Sequence, residues 1–205
     1  MIKVYNFDGK TIEDAIKKAT EKLEVSEKEI ITKETEGKTG LFKTKKVEIN
    51  VVLIDEIISN VKEYIIEITK LMNMKINIET KRRDESILFM LHSDNNPILI
   101  GRNGKTIDAI QTLTKQAVCN QTGMYINFIV DVAEYKLKQK NNIEYIAERT
   151  AREVEKTKIE VKLDNMNSYE RRLVHATLTD YPGIYTESVG EEPNRSVIIK
   201  PKKEN

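Results

Sequence analysis

The apolar residues of this chain occur in short runs, whose spacing changes between the three-to-four-residue repeat of a helix and the two-residue repeat of a strand. This alternation predicts an α+β fold. Of the 205 residues, 39% are apolar and 33% are charged, whereas ordinary globular domains have roughly 45–50% and 25%. Several small units with thin cores therefore suit the chain better than one thick core.

Residues 1–55 have the pattern of a small β-α-β-β unit. A short strand is predicted at residues 4–7, and Thr11 then has the position of an N-cap residue. The helix after it carries apolar residues at helical spacing: Ile12, Ile16, Ala19 and Leu23. Strands are predicted at residues 29–33 and at the alternating positions Val47, Ile49 and Val51, with a turn at residues 36–40.

Residues 56–135 predict the order α-β-β-α-α-β. A helix with an apolar stripe starts near Glu56, and a charged turn at residues 81–85 separates strands at 75–80 and 86–92. Pro97 opens a brief helix, and a longer helix ends near Gly123. The apolar positions of that longer helix are Ile107, Ile110, Leu113 and Ala117. The last strand is predicted to contain Tyr125, Phe128 and Val130.

Residues 136–205 predict a third unit, of α/β type. A long polar helix at about residues 134–156 precedes a strand at 159–163 and a helix at 169–179. Strands at 184–189 and 196–200 follow. The three segments carry net charges of 0, −1 and +2, so any contact with a nucleic acid must come from local basic patches.

The chain has one cysteine, Cys119, which excludes an internal disulfide and zinc sites built on paired cysteines. No stretch approaches the roughly 18 apolar residues of a membrane span, and the N-terminus lacks the apolar core of a signal peptide. These features predict a cytoplasmic protein.

The sharpest local motif is Gly101-Arg102-Asn103-Gly104, followed by Lys105. Two glycines three positions apart allow a tight turn, and their missing Cβ atoms let another backbone approach. The helix that follows directs free N–H groups and its positive dipole end at this gap. The motif can therefore clamp a sugar-phosphate backbone, although a plain helix-loop-helix turn gives the same pattern.

The order of elements around this motif resembles a KH domain in its prokaryotic, type II arrangement, over roughly residues 56–133. The resemblance implies that the motif holds about four nucleotides of single-stranded backbone. It also implies an adjacent apolar groove for the bases. Ile98, Ile100 and Ile107 are candidates to line that groove, with a place in the ordinary core as the alternative for each.

A second motif is Arg171-x-x-x-His175, with Arg172 beside it. At about 100° per residue, the three side chains fall within roughly one third of the helix circumference, and Tyr169, Leu173 and Ala176 lie on another side. Arg171 and His175 can therefore straddle one phosphate. The structural alternative is that the pair holds the segment bearing Glu187 or Glu191 in place.

The sequence around the second motif, about residues 140–201, resembles the Arg-x-x-x-His domain found on many proteins that bind single-stranded nucleic acids. The segment that begins Gly9-Lys10-Thr11-Ile12 and the turn Gly37-Lys38-Thr39-Gly40-Leu41-Phe42 resemble the N-terminal domain of the Jag family, which is also named SpoIIIJ-associated or KhpB. With the KH and Arg-x-x-x-His units, the order of three domains is that of the Jag family.

The resemblance implies a single-stranded RNA-binding protein, a post-transcriptional regulator linked to cell elongation and division. It also implies a small single-KH-domain protein as a partner, and membrane-associated machinery as a docking site for the N-terminal unit. A protein-interaction adaptor and a single-stranded DNA binder remain alternatives.

No catalytic constellation is present, so we predict no enzyme activity, cofactor or metal site. Gly104-Lys105-Thr106 looks like the end of a P-loop, but that motif requires a further glycine where this chain has Leu99.

Overall fold

The computed structural model describes residues 1–35, 47–83 and 86–202. The chain divides into two units, Met1–Ala133 and Glu134–Asn205. Helices alternate with three-stranded sheets in both units, which confirms the predicted α+β class. The predicted turn at residues 36–40 and the rest of the motif that ends at Phe42 lie outside the described residues, as do Asp84 and Glu85.

The N-terminal segment, residues 1–53, is a three-stranded sheet covered by one helix. Its elements are β1 (Tyr5–Gly9), α1 (Ile12–Leu23), a 3-10 turn (Glu27–Glu29), β2 (Ile30–Thr35) and β3 (Val47–Leu53). The strand order is β1-β3-β2, with both pairs antiparallel. Thr11 caps α1 as predicted, because its hydroxyl accepts a hydrogen bond from the Asp14 N–H at 3.2 Å. The core consists of Ala15, Ala19, Ile30, Ile49 and Val51.

The middle segment, residues 54–133, has the predicted element order. Its elements are α2 (Ile54–Leu71), β4 (Ile76–Arg83), β5 (Ser86–Ser93), α3 (Asn96–Ile100), α4 (Lys105–Thr122) and β6 (Phe128–Val132). The central strand β5 pairs antiparallel with β4 and parallel with β6.

Two predictions at the strand ends of this sheet were wrong. Residues 81–83, predicted as part of a charged turn, belong to β4 and lie opposite residues 86–88 of β5. Cross-strand pairing extends the strand here despite the charged side chains. Tyr125, predicted in the last strand, precedes β6 and is 76% exposed.

The first two segments form one unit because β3 runs into α2 without a linker: β3 ends at Leu53 and α2 begins at Ile54. Hydrogen bonds also join them: Ile2 N–H to Gln121 Oε1 at 3.0 Å, Lys3 N–H to Glu56 Oε2 at 2.8 Å, and Lys33 Nζ to the Gly123 carbonyl at 2.7 Å. The proposed domain boundary between residues 55 and 56 therefore lies inside a continuous unit, and it stays a prediction.

The second unit packs two helices on one antiparallel sheet. Its elements are α5 (Tyr135–Thr157), β7 (Val161–Asn165), α6 (Ser168–Thr177), β8 (Ile184–Val189) and β9 (Ser196–Pro201), with strand order β7-β9-β8. Its core consists mainly of apolar residues from both helices and the sheet: Ile143, Ala147, Ala151, Val154, Val174, Leu178, Val197 and Ile199. Among the described parts of the chain, no helix combines the length and apolar character needed to cross a membrane.

Candidate nucleic-acid interface

The loop of residues 101–104, called the tetrad loop below, joins α3 to α4 through a left-handed backbone. The φ angles are +71° at Gly101, +53° at Asn103 and +77° at Gly104. Glycine adopts such angles without steric cost, and asparagine tolerates them better than most residues. The residue types of the tetrad are therefore those that this tight reversal of the chain requires.

Gly101 also lies in a crowded place. A Cβ atom at this position would lie 2.0 Å from Thr106 Oγ1 and 2.8 Å from Thr106 Cβ. The start of the loop therefore packs directly against the first turn of α4. Thr106 was not predicted as part of the site, because no spacing in the sequence indicates a steric contact of this kind.

The polar side chains of the tetrad loop are directed to solvent. Arg102, Asn103 and Lys105 are exposed, whereas Gly104 is buried and Gly101 is half-buried. Arg102 and Lys105 make no ion pair with any residue in the described ranges of the chain. Two unpaired cations and an amide thus stand next to the N-terminus of α4, where the helix dipole also favours an anion.

The apolar candidates beside the loop divide into two groups. Ile98 is 52% exposed and Ile100 is half-buried, while Leu99 between them is fully buried and holds α3 to the core. Ile98 and Ile100 can therefore contact a base. Ile107 is fully buried, so its predicted place in a surface groove was wrong, and it takes the alternative role of a core residue.

The second motif lies on α6, which begins with a capping box. The Asn167 side chain accepts a hydrogen bond from the Glu170 N–H at 3.0 Å, and the Glu170 carboxylate accepts one from the Asn167 N–H at 2.8 Å. This cap fixes the first turn of the helix that carries Arg171, Arg172 and His175.

Arg171 is buried, with 6% of the residue exposed. Its Nη1 donates to the Met166 carbonyl at 2.7 Å and to Glu192 Oε1 at 2.8 Å, and its Nη2 donates to Ser168 Oγ at 3.0 Å. These contacts hold the start of α6 and the segment between β8 and β9 together. They match the structural alternative, with Glu192 in place of Glu187 or Glu191.

His175 is partly buried between two hydroxyl groups of β8. Its Nδ1 lies 2.6 Å from Thr186 Oγ1, and its Nε2 lies 2.8 Å from Ser188 Oγ. Burial lowers the pKa of His175 below its ordinary value of 6.5, and the nearby charge of Arg171 lowers it further. The sequence contained a signal for these partners. Thr186 and Ser188 are two positions apart on a predicted strand, so their side chains point to the same face of the sheet.

Arg172 is the exposed member of the second motif. The buried residues of α6 are Glu170, Arg171 and Val174, and Leu178 directly after the helix is buried too. Tyr169, predicted on the more apolar side, is 63% exposed. Arg171, which was predicted to straddle a phosphate with His175, is instead directed to the interior of the second unit.

No group of three or more His, Cys, Asp or Glu side chains is placed to hold a metal ion within residues 1–35, 47–83 and 86–202. The chemistry that the two motifs offer is recognition of anions and apolar surfaces.

Comparison with known proteins gives matches along nearly the whole chain. A family model described as "KhpA/KhpB, KH domain" matches residues 59–132, and the model of the Arg-x-x-x-His domain matches residues 141–201. A Clostridium symbiosum protein named RNA-binding protein KhpB is 34% identical over an alignment of 209 positions, which covers 96% of this chain and 91% of that protein. A Bacillus subtilis (strain 168) protein of the same name is 28% identical over 201 residues, covering 95% and 97%.

The crowding at Gly101 can be tested against Gly123, which also has a left-handed φ angle but no atom within 4 Å of an added Cβ. We expect Gly123→Ala to cost about 1–2 kcal/mol for the backbone conformation alone. Gly101→Ala should cost about 1–3 kcal/mol more, because its Cβ overlaps Thr106 and because its ψ of −180°, unlike the 11° of Gly123, lies in a region that is essentially restricted to glycine. Urea denaturation of both variants gives the difference, and equal losses would contradict the steric role of Thr106.

Arg171 and Arg172 form a second matched pair. Arg171→Ala should lower the free energy of unfolding by about 1.5–3 kcal/mol, because it removes the buried guanidinium together with the hydrogen bonds that it donates. Arg172→Ala should change it little, since the side chain is exposed. The melting temperatures of the two variants check this. If Arg171→Ala melted at the same temperature as the parent, Arg171 would again be a candidate for direct contact with the ligand.

The lowered pKa of His175 predicts a dependence of stability on pH. Between the folded-state pKa and 6.5, the unfolded state binds more protons than the folded state. The free energy of unfolding should therefore fall as the pH drops below about 6.5, and level off below the folded-state pKa. Melting temperatures between about pH 8 and 5.5 measure this, in a range above the titration of most carboxylates.

His175→Gln should remove this dependence, because it replaces the titrating imidazole with an amide that does not titrate. The same pH profile in His175→Gln and in the parent would show that another group is responsible.

Proposed function

The chain belongs to the KhpB family of RNA-binding proteins, the Jag family, and from this we propose that it binds single-stranded RNA at the tetrad loop. The observation that carries the proposal is the exposure of Arg102, Asn103 and Lys105 on a left-handed backbone at the start of α4. Binding of an RNA strand, with no chemical step, is the function that these groups support best.

In this proposal the sugar-phosphate backbone lies across the tetrad loop. Arg102 and Lys105 neutralise phosphate charge, and Asn103 donates or accepts hydrogen bonds. Gly101 keeps the start of the loop close to the first turn of α4, because a Cβ atom there would overlap Thr106. Phosphate contacts of this kind position the strand without reading its sequence.

The bases then lie against α3. Ile98 presents a half-exposed apolar side chain next to the loop, and Ile100 lies partly buried behind it. Unstacked bases of single-stranded RNA can pack on such a surface, and this is where base preference would arise.

We assign the second unit a different arrangement from the one that the motif suggested. In this proposal the exposed Arg172 meets phosphate, whereas Arg171 and His175 hold α6 to β8 and to the segment after it. Their contribution to RNA binding is therefore through the shape of the unit.

The finer parts of the proposal rest on family membership. They are a role as a post-transcriptional regulator linked to cell elongation and division, a small single-KH-domain protein as partner, docking of the N-terminal segment to membrane-associated machinery, and a cytoplasmic location, where the RNA would be bound.

Replacing Arg102 and Asn103 by Asp in the full chain tests the tetrad loop. The change puts negative charge where a phosphate must lie, so the affinity for single-stranded RNA should fall on the order of ten-fold or more. Fluorescence anisotropy with labelled RNA oligomers measures the affinity, and matched DNA oligomers give the preference between RNA and DNA.

The control is Lys17→Asp with Lys28→Asp, two exposed positions in the N-terminal segment that remove more positive charge than the test variant. We expect the control to bind RNA nearly as the parent does. Unchanged affinity of the Arg102/Asn103 variant would exclude the tetrad loop as the binding site.

A further inference from the structure

A stripe of polar and basic residues runs along the outer side of α5. Its positions follow the helical steps of four and three residues: Lys138, Asn142, Tyr145, Arg149, Arg152 and Lys156. At about 100° and 1.5 Å per residue, these six side chains fall within roughly 80° of the circumference and extend over about 27 Å. We call this set the α5 stripe.

Charge is segregated on this helix. The described sequence of α5 contains six cations and four carboxylates. The α5 stripe holds four of the cations and, in this fully described helix, none of the carboxylates. Those lie at Glu144, Glu148, Glu153 and Glu155. The cations thus form a row along the helix, and Glu148 and Glu153 flank it, four residues from Arg152 and Arg149.

The stripe is exposed and its direction is fixed. All six residues are exposed, and 57% of Tyr145 is accessible to solvent. The other side of α5 is buried in the core of the second unit through Ile143, Ala147, Ala151 and Val154. The helix therefore cannot rotate to hide the stripe without losing the core.

The cations in the C-terminal half of the stripe lack carboxylate partners. Arg149, Arg152 and Lys156 make no ion pair with other residues in the described part of the chain. Away from the stripe, Lys140 pairs with Glu144 at 3.7 Å. Because these three cations make no ion pair within the protein, their charge is available to an external polyanion.

Tyr145 points to the kind of polyanion. The Arg149 guanidinium lies over the Tyr145 ring, 6.0 Å from its centroid. An exposed aromatic ring among cations is the arrangement on which single-stranded nucleic acids stack their bases, while the cations follow the backbone. Guanidinium groups also bind phosphate in a bidentate manner.

We propose that the α5 stripe is a second binding surface for single-stranded RNA, separate from the tetrad loop. The inference rests on the proposed function, because it assumes that the chain binds RNA. It assigns phosphate contacts to Arg149, Arg152 and Lys156 and base stacking to Tyr145. It also gives the second unit a surface for RNA, although Arg171 and His175 are directed inward.

The test uses the full chain with Arg149→Ala and Arg152→Ala together. RNA affinity should fall on the order of ten-fold for every oligomer sequence, because phosphate contacts carry no base information. The slope of log affinity against log salt should become shallower by about 1.4, at about 0.7 for each of two lost phosphate contacts. The matched control is Lys140→Ala with Lys162→Ala, two exposed cations of the same unit outside the stripe, and it should keep the parent slope.

Tyr145 supplies an independent measurement that leaves the charge unchanged. Tyr145→Ala should weaken binding on the order of ten-fold, and Tyr145→Phe should bind as the parent does, because the ring is what stacks. If the arginine double variant has a lower melting temperature than the parent, a second variant that keeps the charge replaces it: Arg149→Lys with Arg152→Lys. This variant should retain the parent slope of log affinity against log salt.

The outcomes separate the two proposals. If the parent does not bind RNA, the proposed function fails and this inference fails with it. If the parent binds and the Arg102/Asn103 variant is weakened, but the stripe variants keep parent affinity and slope, the tetrad loop stands and the α5 stripe is overturned. In that case the stripe would serve a different polyanion, such as an acidic protein.

Discussion

The parallel pairing of β5 with β6 is the constraint on which the candidate interface depends. Parallel neighbours cannot be joined by a tight turn, so the chain must leave β5, cross the sheet and return in the same direction. α3, the tetrad loop and α4 are this crossing. The Gln111 side chain accepts a hydrogen bond from the Val130 N–H at 3.0 Å, which ties α4 to β6.

The core below this crossing is closely packed. Phe89 of β5 and Phe128 of β6 are fully buried and meet edge to face, with ring centroids 5.6 Å apart. The loop therefore projects from a well-packed sheet. Because the core fixes its position, the exposed side chains of the loop are free to serve recognition.

The sequence could predict the elements of the fold, but not all of their limits. Thr11 and the helical repeat after it indicated α1, and Pro97 indicated α3, because capping and backbone restriction are local effects. The extension of β4 through Arg83 depends on its partner in β5, and the overlap of Gly101 with Thr106 depends on how closely the loop folds back. Contacts of these kinds are set by tertiary structure and leave no periodic signal.

Arg149 and Arg171 show why one helix could be oriented from its sequence and the other could not. Both are arginines at helical spacing in the second unit, yet one is exposed and the other is buried. On α5 the apolar residues form a continuous row that defines the inner face. On α6 the apolar residues are few, and what makes the burial of Arg171 favourable is Glu192, which lies far along the chain. Helical periodicity gives the angles between side chains around the helix axis. Which of these side chains face the core depends on their contact partners in the tertiary structure.

Because β3 continues directly into α2, the backbone at this junction sets the orientation of the N-terminal sheet relative to the sheet that carries the tetrad loop. One residue inserted between Leu53 and Ile54 as an added helical position would turn the N-terminal sheet by about 100° around the axis of α2 and move it by about 1.5 Å. Neighbouring units usually change their relative orientation through changes in the length of the loop between them. No loop separates β3 from α2, so this cannot happen here. The orientation of the N-terminal sheet relative to α2 is therefore set by the backbone at Leu53 and Ile54.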